Sequence, residues 1–109
     1  MFIAMNNFRV AAGREADFEA QWRNRQSYLQ DVPGFVEFAL LKGDGAGEYA
    51  SHTVWRDRAS FIAWTESRAF AAGHRQGSVG GLLDGHPVVK LYEAVLVERP
   101  NEKAVGSRE

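Results

Sequence analysis

The first apolar segment of the chain, residues 2–10, predicts a β-strand, because alternate side chains of a strand point to the same face. The face that we expect to meet the core carries Phe2, Ala4, Asn6, Phe8 and Val10. After Gly13 the apolar positions recur at helical spacing, which predicts a helix over about residues 15–30. One stripe of this helix carries Phe18, Trp22, Arg25 and Leu29.

Three further strands follow from the later apolar segments. They are predicted over residues 35–42, 48–56 and 87–98. The glycine-rich residues 43–47 predict a hairpin loop between the second and third strands.

Between the third and fourth strands, the sequence predicts helix in two pieces. Asp57 or Ser60 can cap a short helix through Phe61 and Trp64, and further helical turns are expected over about residues 68–74. Glycines at positions 73, 77, 80, 81 and 85 predict a mobile loop that leads into the last strand.

The resulting order, β-α-β-β-α-β, predicts an α+β fold of the ferredoxin-like sandwich type, with two helices on one face of a four-stranded antiparallel sheet. This domain is expected over residues 1–98, and the polar residues 99–109 are expected to form a disordered tail.

The second and fourth predicted strands are apolar on both faces, although two helices cover only one. In the second strand Phe35, Ala39 and Leu41 oppose Val36, Phe38 and Leu40, and in the fourth Tyr92, Ala94 and Leu96 oppose Leu91, Val95 and Val97. A second copy of the chain is the simplest way to bury the remaining face. We therefore expect a sheet-to-sheet homodimer.

Composition narrows the classes of function. The 109 residues have a formal net charge of -1, so neither nucleic acid nor a membrane surface is an expected partner. No apolar segment approaches the ~20 residues that span a bilayer, and no signal peptide is expected. The absence of cysteine excludes thiolate sites and is typical of a cytoplasmic protein.

His52 and His86 lack further ligands at metal-binding spacing, so zinc is not expected. Aromatic residues, by contrast, are dense, at 12% of the chain.

Polar residues on apolar faces are the first candidates for a functional site. Asn6 shares the inward face of its strand with Phe8, and a buried amide needs hydrogen-bond partners. A neighbouring backbone group is the simpler partner, and a ligand is the alternative. Arg25 lies on the apolar helix stripe, where its side chain either covers apolar surface or meets a ligand carboxylate. Asn7 points to the other face and is the weaker candidate.

Trp64 and His74 form the third candidate, because the helical pieces that carry them meet beside the glycine-rich loop. Phe61 and Phe70 lie near them in sequence, so the rings can line one wall of a cavity. Alone, Trp64 is most simply a core residue and His74 a residue that interacts with the helix dipole. Together they would suit a flat aromatic ligand that carries a metal.

Five short motifs occur in a fixed order along the chain. They are Phe2-Ile3-Ala4-Met5-Asn6, Phe18-x-x-x-Trp22-x-x-Arg25, Pro33-Gly34-Phe35, Thr53-Val54-Trp55, and Phe61-x-x-Trp64 with His74 downstream. The set resembles the Isd-type haem-degrading monooxygenases, which belong to the antibiotic-biosynthesis-monooxygenase superfamily of dimeric α+β barrels. The resemblance covers about residues 2–98.

This resemblance implies roles for three residues. It places the family's active-site asparagine, tryptophan and histidine on Asn6, Trp64 and His74. His74 would be the proximal ligand of the haem iron, and Asn6 would hydrogen-bond on the opposite side, where oxygen binds. Trp64 would press the porphyrin out of plane, so that activated oxygen attacks the ring. Haem would be both substrate and cofactor, consumed with O2 and electrons from an external reductase or small reductant, and iron would be released.

The resemblance also implies the lining of the haem slot. Arg25 would face a haem propionate, and the remaining lining would be Phe8, Trp22, Phe61 and Phe70. Asn7 stands where many relatives have arginine, so it remains an alternative to Asn6 as the pocket amide.

Three other functions stay open at this point. A relative that oxidises an aromatic substrate without haem would use Asn6 and Trp64 but would not need His74. The second alternative is a dimer that binds and buffers haem without degrading it. The third is a dimeric barrel that binds another small ligand.

Overall fold

Strands and helices follow one another in the order that the sequence predicts. A computed structural model of the chain describes residues 1–76 and 82–101, without the side chains of residues 73–76. The elements are β1 (Phe2–Arg9), α1 (Glu15–Asn24), β2 (Phe35–Lys42), β3 (Glu48–Trp55), α2 (Arg58–Thr65), α3 (Arg68–Gln76) and β4 (Val88–Glu93). The helices described here are all too short or too polar to cross a membrane.

The four strands form one antiparallel sheet in the order β2-β3-β1-β4. Strand β1 lies in the centre, where Phe2 is opposite Trp55 of β3 and Glu93 of β4. This is the strand order of a ferredoxin-like sandwich, and it confirms the predicted α+β fold class.

Helix α1 is shorter than the sequence predicts. It ends at Asn24, and Arg25 already has extended backbone angles, with φ -71° and ψ 151°. Ser27 favours this ending, because its Oγ accepts a hydrogen bond of 3.4 Å from the backbone N–H of Leu29 and so competes with helical hydrogen bonding. Leu29 is still buried, so it reaches the core from a loop and not from a helical face.

Strand β4 is also shorter than predicted, and it stops at Glu93. The cause is its partner strand. Strand β1 begins at Phe2, opposite Glu93, and the last contact is the N–H of Ala94 donating to the carbonyl of Met1 at 2.9 Å. The apolar residues 95–97 therefore extend beyond the sheet.

A β-bulge in β2 changes the predicted faces of that strand. Phe35 lies opposite Trp55 and Phe38 lies opposite Thr53, with the register shifted between Phe35 and Glu37. The extra residue interrupts the alternation, so Phe35 and Phe38 face the same side, where the sequence predicts opposite sides. Both rings pack against the core cluster that contains Trp55.

Two clusters of buried residues hold the helices on one face of the sheet. The α1 cluster consists of Phe8, Val10, Phe18, Tyr49 and Leu82, with Trp22, Leu40 and Leu83 packed against it. The α2 cluster consists of Phe2, Leu29 and Trp55, with Val32, Phe35, Phe38, Phe61 and Trp64 packed against it. The centre of the sheet lies between them.

The start of α2 is fixed by a cap and by a close approach of the chain. Asp57 is the N-cap, and its Oδ1 accepts hydrogen bonds from the N–H and the Oγ–H of Ser60 at 2.8 and 2.7 Å. Gly34 packs directly over this hydroxyl, with a φ of +82°, and a Cβ at Gly34 would lie 2.2 Å from Ser60 Oγ. Only glycine fits here without moving α2.

The other side of the sheet carries an apolar surface that no described helix covers. This outer face contains Ile3 and Met5 of β1, with Leu41 of β2 and Val88 and Tyr92 of β4. The last three are 42%, 54% and 47% exposed. Such a surface is typical of an interface, although the predicted homodimer itself stays a prediction.

Two predicted segments lie largely outside the described residues. They are the glycine-rich loop at residues 77–81 and the tail beyond residue 101. The first residues of the predicted tail, 99–101, are exposed and have no regular secondary structure.

Candidate functional site

The helix-facing side of the sheet has large rings at both ends and smaller side chains in the middle. Phe2 and Trp55 lie opposite each other at one end, and Phe8 and Tyr49 lie opposite each other at the other. The positions between them on β1 and β3 are Ala4, Asn6, Ser51 and Thr53. The side-chain layer on this face is therefore shallower in the centre of the sheet than at its two ends.

Two residues of β4 extend this central area. Val89 is paired with Asn6, and Leu91 is paired with Ala4, so both face the helices. They are nevertheless 60% and 45% exposed. Exposed apolar side chains on the helix-facing side mark an area that the described residues leave uncovered. We call Ala4, Asn6, Val89 and Leu91 the floor.

Asn6 places an amide in the middle of the floor. Its Oδ1 is buried and has no hydrogen-bond partner among the described residues. A buried carbonyl oxygen without a partner costs about 1–3 kcal/mol, and a ligand that donates a hydrogen bond would remove this cost. Asn7 faces the outer side, where its Nδ2 donates to the carbonyl of Val88 at 3.4 Å. The alternation of β1 thus separates the two amides as the sequence predicts.

One side of the floor is bounded by aromatic residues that α1 positions. The ring of Trp22 lies 5.9 Å from Phe8 and 6.2 Å from Phe18, in edge-to-face contacts. It also stacks on Phe38 at 5.6 Å, with an angle of 20° between the rings. Trp22 Nε1 is buried without a hydrogen-bond partner among the described residues. We call Phe8 and Trp22 the α1 wall.

Arg25 lies against this group of rings. Its Cζ is 4.9 Å from the ring centre of Trp22 and 4.8 Å from that of Phe38, within the range of cation–π contacts. Burial lowers the pKa of Arg25, and its Nε has no partner among the described residues. The structure therefore shows the apolar packing that the sequence allowed for Arg25. The carboxylate of a ligand as its partner remains a prediction.

A second aromatic group stands at the other end of the floor, on α2 and α3. The ring of Trp64 lies 5.1 Å from Trp55, 6.1 Å from Phe61 and 4.8 Å from Phe70. Ser67 fixes the corner between the two helices, because its Oγ donates to the carbonyl of Trp64 at 2.6 Å and accepts from the N–H of Phe70 at 3.2 Å. The structure thus brings together Phe61, Trp64 and Phe70, which we call the α2 wall.

His74 lies on α3, one helical turn after Phe70. Its side chain is outside the described residues, so its predicted role as an iron ligand is not tested by the geometry. The other histidines lie elsewhere. His52 is opposite Met5 on the outer face, and His86 is exposed just before β4.

A cleft between α1 and β2 was not predicted from the sequence. It has a volume of about 330 Å³, and we call it the α1–β2 cleft. Its lining residues are Glu19, Trp22, Arg23, Phe38, Leu40, Lys42 and Tyr49. Trp22 and Arg23 are close in sequence, but β2 and Tyr49 join them only through the packing of α1 on the sheet, which periodicity does not reveal.

Glu19 is the centre of the polar side of this cleft. Its carboxylate accepts a hydrogen bond of 2.5 Å from the hydroxyl of Tyr49 and one of 3.1 Å from Arg23, and Lys42 Nζ is 3.7 Å away. The Tyr49 hydrogen bond, supported by the two cations, lowers the pKa of Glu19. Burial and the neighbouring carboxylate raise the pKa of Tyr49 to about 12. At neutral pH, Tyr49 is therefore a neutral donor to an ionised Glu19.

Residues 1–76 match the antibiotic biosynthesis monooxygenase family. The chain belongs to this family. The match includes both aromatic walls and Asn6, and it confirms the superfamily that the sequence motifs indicate. A curated relative in Mycobacterium tuberculosis is a mycobilin-producing haem oxygenase. It is 32% identical over 80 residues, which cover 71% of this chain and 76% of the relative.

Solved structures resemble the chain over most of its length. The haem degrader MhuD of Mycobacterium tuberculosis, solved with two haems in its active site, has a TM-score of 0.74 and 27% identity. The likeness covers 91% of this chain and 100% of MhuD. A variant of SnoaB, a cofactor-independent oxygenase of Streptomyces nogalater, has a TM-score of 0.67 and 23% identity over 88% of this chain and 94% of SnoaB. At that identity the likeness to SnoaB shows the shared fold alone.

Proposed function

We propose that this family member is a haem-degrading monooxygenase that binds haem on the floor and opens its porphyrin ring with O2 and external electrons, with release of iron. The observation that carries the proposal is the buried Oδ1 of Asn6, which has no hydrogen-bond partner among the described residues. It lies on an apolar floor that the same residues leave uncovered, between two aromatic walls. The similarity to a haem oxygenase at 32% identity supports the choice of substrate.

The floor and walls suit the chemistry of a porphyrin. Porphyrins are flat and largely apolar, so aliphatic side chains such as Val89 and Leu91 favour contact with one ring face or edge. Trp22 and Trp64 offer aromatic surfaces on either side. Binding would bury the exposed area of the two floor residues, which are 60% and 45% exposed in the free chain.

Asn6 orients the oxygen side of the substrate in this proposal. Its amide is a fixed polar group in an otherwise apolar area, since the strand holds its backbone between β3 and β4. In a site that excludes water, such a preorganised dipole is worth more than it would be in solution. The role is to hold one geometry for oxygen addition to the ring.

In this proposal Trp64 would press against a bound porphyrin and would favour attack of oxygen on the ring. Such pressure needs a rigid side chain, and the three ring contacts of Trp64 with Trp55, Phe61 and Phe70 supply the support. A smaller side chain at position 64 would let the porphyrin relax.

His74 binds the haem iron in this proposal. The chain contains no cysteine and three histidines. Of these, His52 lies on the outer face and His86 lies exposed before β4, whereas His74 follows Phe70 of the α2 wall on the same helix. Neutral imidazole is a common ligand of haem iron. The electrons come from an external reductase or small reductant.

A second candidate is an oxygenase that acts on an aromatic substrate without haem. The amide of Asn6 and the ring of Trp64 would serve such a substrate equally well, and this function needs no iron ligand. The two candidates therefore differ in their dependence on haem and on His74.

Titration with haemin separates these candidates. We expect a saturable Soret band in the protein and loss of the axial-histidine signature in His74→Ala, with recovery when imidazole is added. The matched control His52→Ala, on the outer face, should keep the parent spectrum. A protein that gives no saturable Soret shift is not a haem enzyme, and a His74→Ala variant with an unchanged spectrum would exclude His74 as the ligand.

A further inference from the structure

Ser67 lies at the corner between α2 and α3 and is hydrogen-bonded to both helices. Helix α2 ends at Thr65 and α3 begins at Arg68, so two residues join them. The N–H of Ser67 donates to the carbonyl of Trp64 at 2.9 Å, and its Oγ–H donates to the same oxygen at 2.6 Å. The same Oγ accepts a hydrogen bond of 3.2 Å from the N–H of Phe70. One hydroxyl group therefore connects the last turn of α2 to the first turn of α3.

The two bonds of this hydroxyl have different roles. A helix leaves the N–H groups of its first turn and the carbonyls of its last turn without partners. Ser67 is the N-cap of α3, because its Oγ accepts from Phe70 and its carbonyl accepts from the N–H of Ala71 at 3.3 Å. Capping α3 uses only the acceptor of the hydroxyl group. The bond that the hydroxyl donates to the carbonyl of Trp64 is therefore a separate link to α2.

The same hydroxyl also acts on both partners of a ring contact. The rings of Trp64 and Phe70 lie 4.8 Å apart at an angle of 83°. Such contacts depend less on direction than hydrogen bonds do, so they permit some rotation of one helix against the other. Ser67 bonds the carbonyl of one of these residues and the N–H of the other. It therefore restricts a rotation that the rings alone would allow.

The two linked helices carry the two residues whose relative position matters most in the proposed function. Trp64 lies on α2, and His74 lies on α3, two helical turns after Ser67. At a rise of about 1.5 Å per residue, the backbone of residue 74 is roughly 10 Å from the corner. A tilt of α3 by about 10° would move that backbone by roughly 2 Å relative to Trp64. A displacement of about 1 Å can already cost a hundredfold in rate.

We propose that Ser67 is a positioning residue that fixes Trp64 relative to α3 and thereby selects the meso carbon at which the porphyrin opens. Trp64 would press against a porphyrin whose iron is held from α3. The angle at the corner would then set where this pressure acts relative to the iron. The inference rests on the proposed function and goes beyond it, because it assigns regioselectivity to a residue outside the floor and the walls.

Three substitutions of Ser67 separate the two bonds of its hydroxyl. Ser67→Thr keeps the hydroxyl, and the site has room for the added methyl group, since Ser67 borders a cleft of about 300 Å³. Ser67→Asp keeps an acceptor for the N–H of Phe70, but an ionised carboxylate cannot donate to the carbonyl of Trp64. Ser67→Ala loses both bonds.

The matched control is Thr65→Val, two residues before Ser67. It also removes a hydroxyl that donates to a helix carbonyl, because Thr65 Oγ1 donates to the carbonyl of Ile62 at 2.7 Å. That bond stays within α2, so its loss should leave the corner unchanged.

Nuclear magnetic resonance of the haem-free protein measures each bond directly. Ser67→Ala should speed hydrogen exchange at the N–H of Phe70 about fivefold or more, the effect of losing an ordinary N-cap bond. Ser67→Thr, Ser67→Asp and Thr65→Val should keep the parent exchange rate within about twofold. The carbonyl ¹³C resonance of Trp64 should shift in Ser67→Ala and Ser67→Asp and stay in place in Ser67→Thr. Parent exchange and an unshifted carbonyl in Ser67→Ala would overturn the link.

The haem complex tests the selectivity. Ser67→Ala and Ser67→Asp should change the ratio of ring-opened isomers, separated by liquid chromatography, by about threefold or more, which needs only a small difference between barriers. Ser67→Thr and Thr65→Val should keep the parent ratio. A protein that is merely less stable would form less product at the same ratio, so the ratio distinguishes positioning from stability.

Two results would overturn the selectivity. One is the parent ratio in both Ser67→Ala and Ser67→Asp. The other is the parent ratio in Ser67→Asp alone, which would assign the effect to the cap on α3 and not to the link with Trp64. A parent protein that leaves haem intact would overturn the proposed function together with this selectivity. Exchange at Phe70 needs no haem, so it still decides whether Ser67 holds the two helices together.

Discussion

Asn6 and Asn7 have the same chemistry and opposite positions, and strand alternation decides between them. Asn6 lies on the floor with a buried Oδ1 that lacks a described partner, whereas Asn7 lies on the outer face and bonds the carbonyl of Val88. A substrate contact at Asn6 would satisfy the buried oxygen or the amide N–H groups beside it. The two side chains therefore form a natural pair of test and control.

We expect Asn6→Ala to lower the rate of haem degradation about 10- to 100-fold, the range that loss of one buried hydrogen bond to a charged or developing-charge group gives. The dissociation constant for haemin should change much less, because apolar contacts dominate binding. Soret decay under single-turnover conditions measures the rate, and titration measures the affinity. Asn7→Ala should keep the parent rate, and an equal loss in both variants would contradict the assignment.

The hydrogen bond from Tyr49 to Glu19 should stabilise the fold over a pH range that has an acid limit and an alkaline limit. The folded pKa of Glu19 is below 4.5, so its contribution is present above that pH and is lost as pH falls through the lowered value. The folded pKa of Tyr49 is raised from 10.0 to about 12, so its contribution is present below pH 10.0 and is lost as pH rises through about 12.

Tyr49→Phe should therefore lower Tm by a few degrees at pH 7, since it removes the donor to Glu19. The difference from the parent should shrink below pH 4.5, where Glu19 becomes protonated. Differential scanning calorimetry between pH 3 and pH 8 measures both effects. The control is Tyr28→Phe, at a tyrosine that is 36% exposed, and it should show no such pH dependence. A Tm difference for Tyr49→Phe that is constant over this range would exclude the ionised pair.

At the scale of elements, the position of α2 depends on the turn before β2. Gly34 and Gly13 have nearly the same φ, +82° and +80°. A Cβ at Gly34 would lie 2.2 Å from Ser60 Oγ, whereas a Cβ at Gly13 would have nothing within 4 Å. Comparing the two positions isolates the steric contact between this turn and the helix that carries Trp64.

Gly13→Ala should lower the free energy of unfolding by about 1 kcal/mol, the cost of the left-handed conformation for alanine. Gly34→Ala should lower it by about 2–5 kcal/mol, because overpacking against Ser60 is added to that cost. Urea denaturation of both variants gives the difference. Equal losses would mean that α2 moves freely away from the turn.

The sequence predicts the order and type of the elements because their periodicity is local. The same periodicity does not predict features that depend on pairing with a strand far away in the sequence. Strand β4 stops at Glu93, where its pairing with β1 ends opposite Phe2, and the bulge in β2 puts Phe35 on the same face as Phe38. The end of α1 is an intermediate case. Ser27 competes locally with helical hydrogen bonding, but the helical spacing of Trp22 and Leu29 predicts that the helix continues past it.

The candidate site likewise has features that local sequence patterns predict and features that they do not. Alternation along β1 is enough to place Asn6 on the floor, and helical spacing is enough to join Phe61, Trp64 and Phe70. The α1–β2 cleft depends on packing between Glu19 and Tyr49, which are far apart in sequence, so no local pattern predicts it. The contact of Arg25 with both Trp22 and Phe38 likewise depends on how α1 and the following loop pack against β2.

At the scale of the whole molecule, the uncovered outer face is the main feature that a single chain leaves unexplained. Its apolar residues include Tyr92, which is 47% exposed on β4. Ile62 on α2 is 46% exposed but lies on the helix layer, away from this face. The two residues therefore form a pair that is matched in exposure and differs in location.

Tyr92→Asp should convert a dimeric parent into a monomer, because it places a charge in the centre of a buried apolar interface. Ile62→Asp should remain dimeric. Size-exclusion chromatography with light scattering distinguishes the two outcomes. A dimer that persists in Tyr92→Asp at micromolar concentration would show that the sheets do not associate by their outer faces.

The most direct test of the proposed function is the fate of bound haem in air. The haem complex is supplied with ascorbate in the presence of catalase, while the Soret band, iron capture by a ferrous chelator and the mass of the extracted tetrapyrrole are followed. We predict loss of the Soret band with one iron released per haem and a ring-opened product, and no such turnover in His74→Ala. A Soret band that persists without iron release, or that decays no faster than free haem, would contradict haem degradation by this protein.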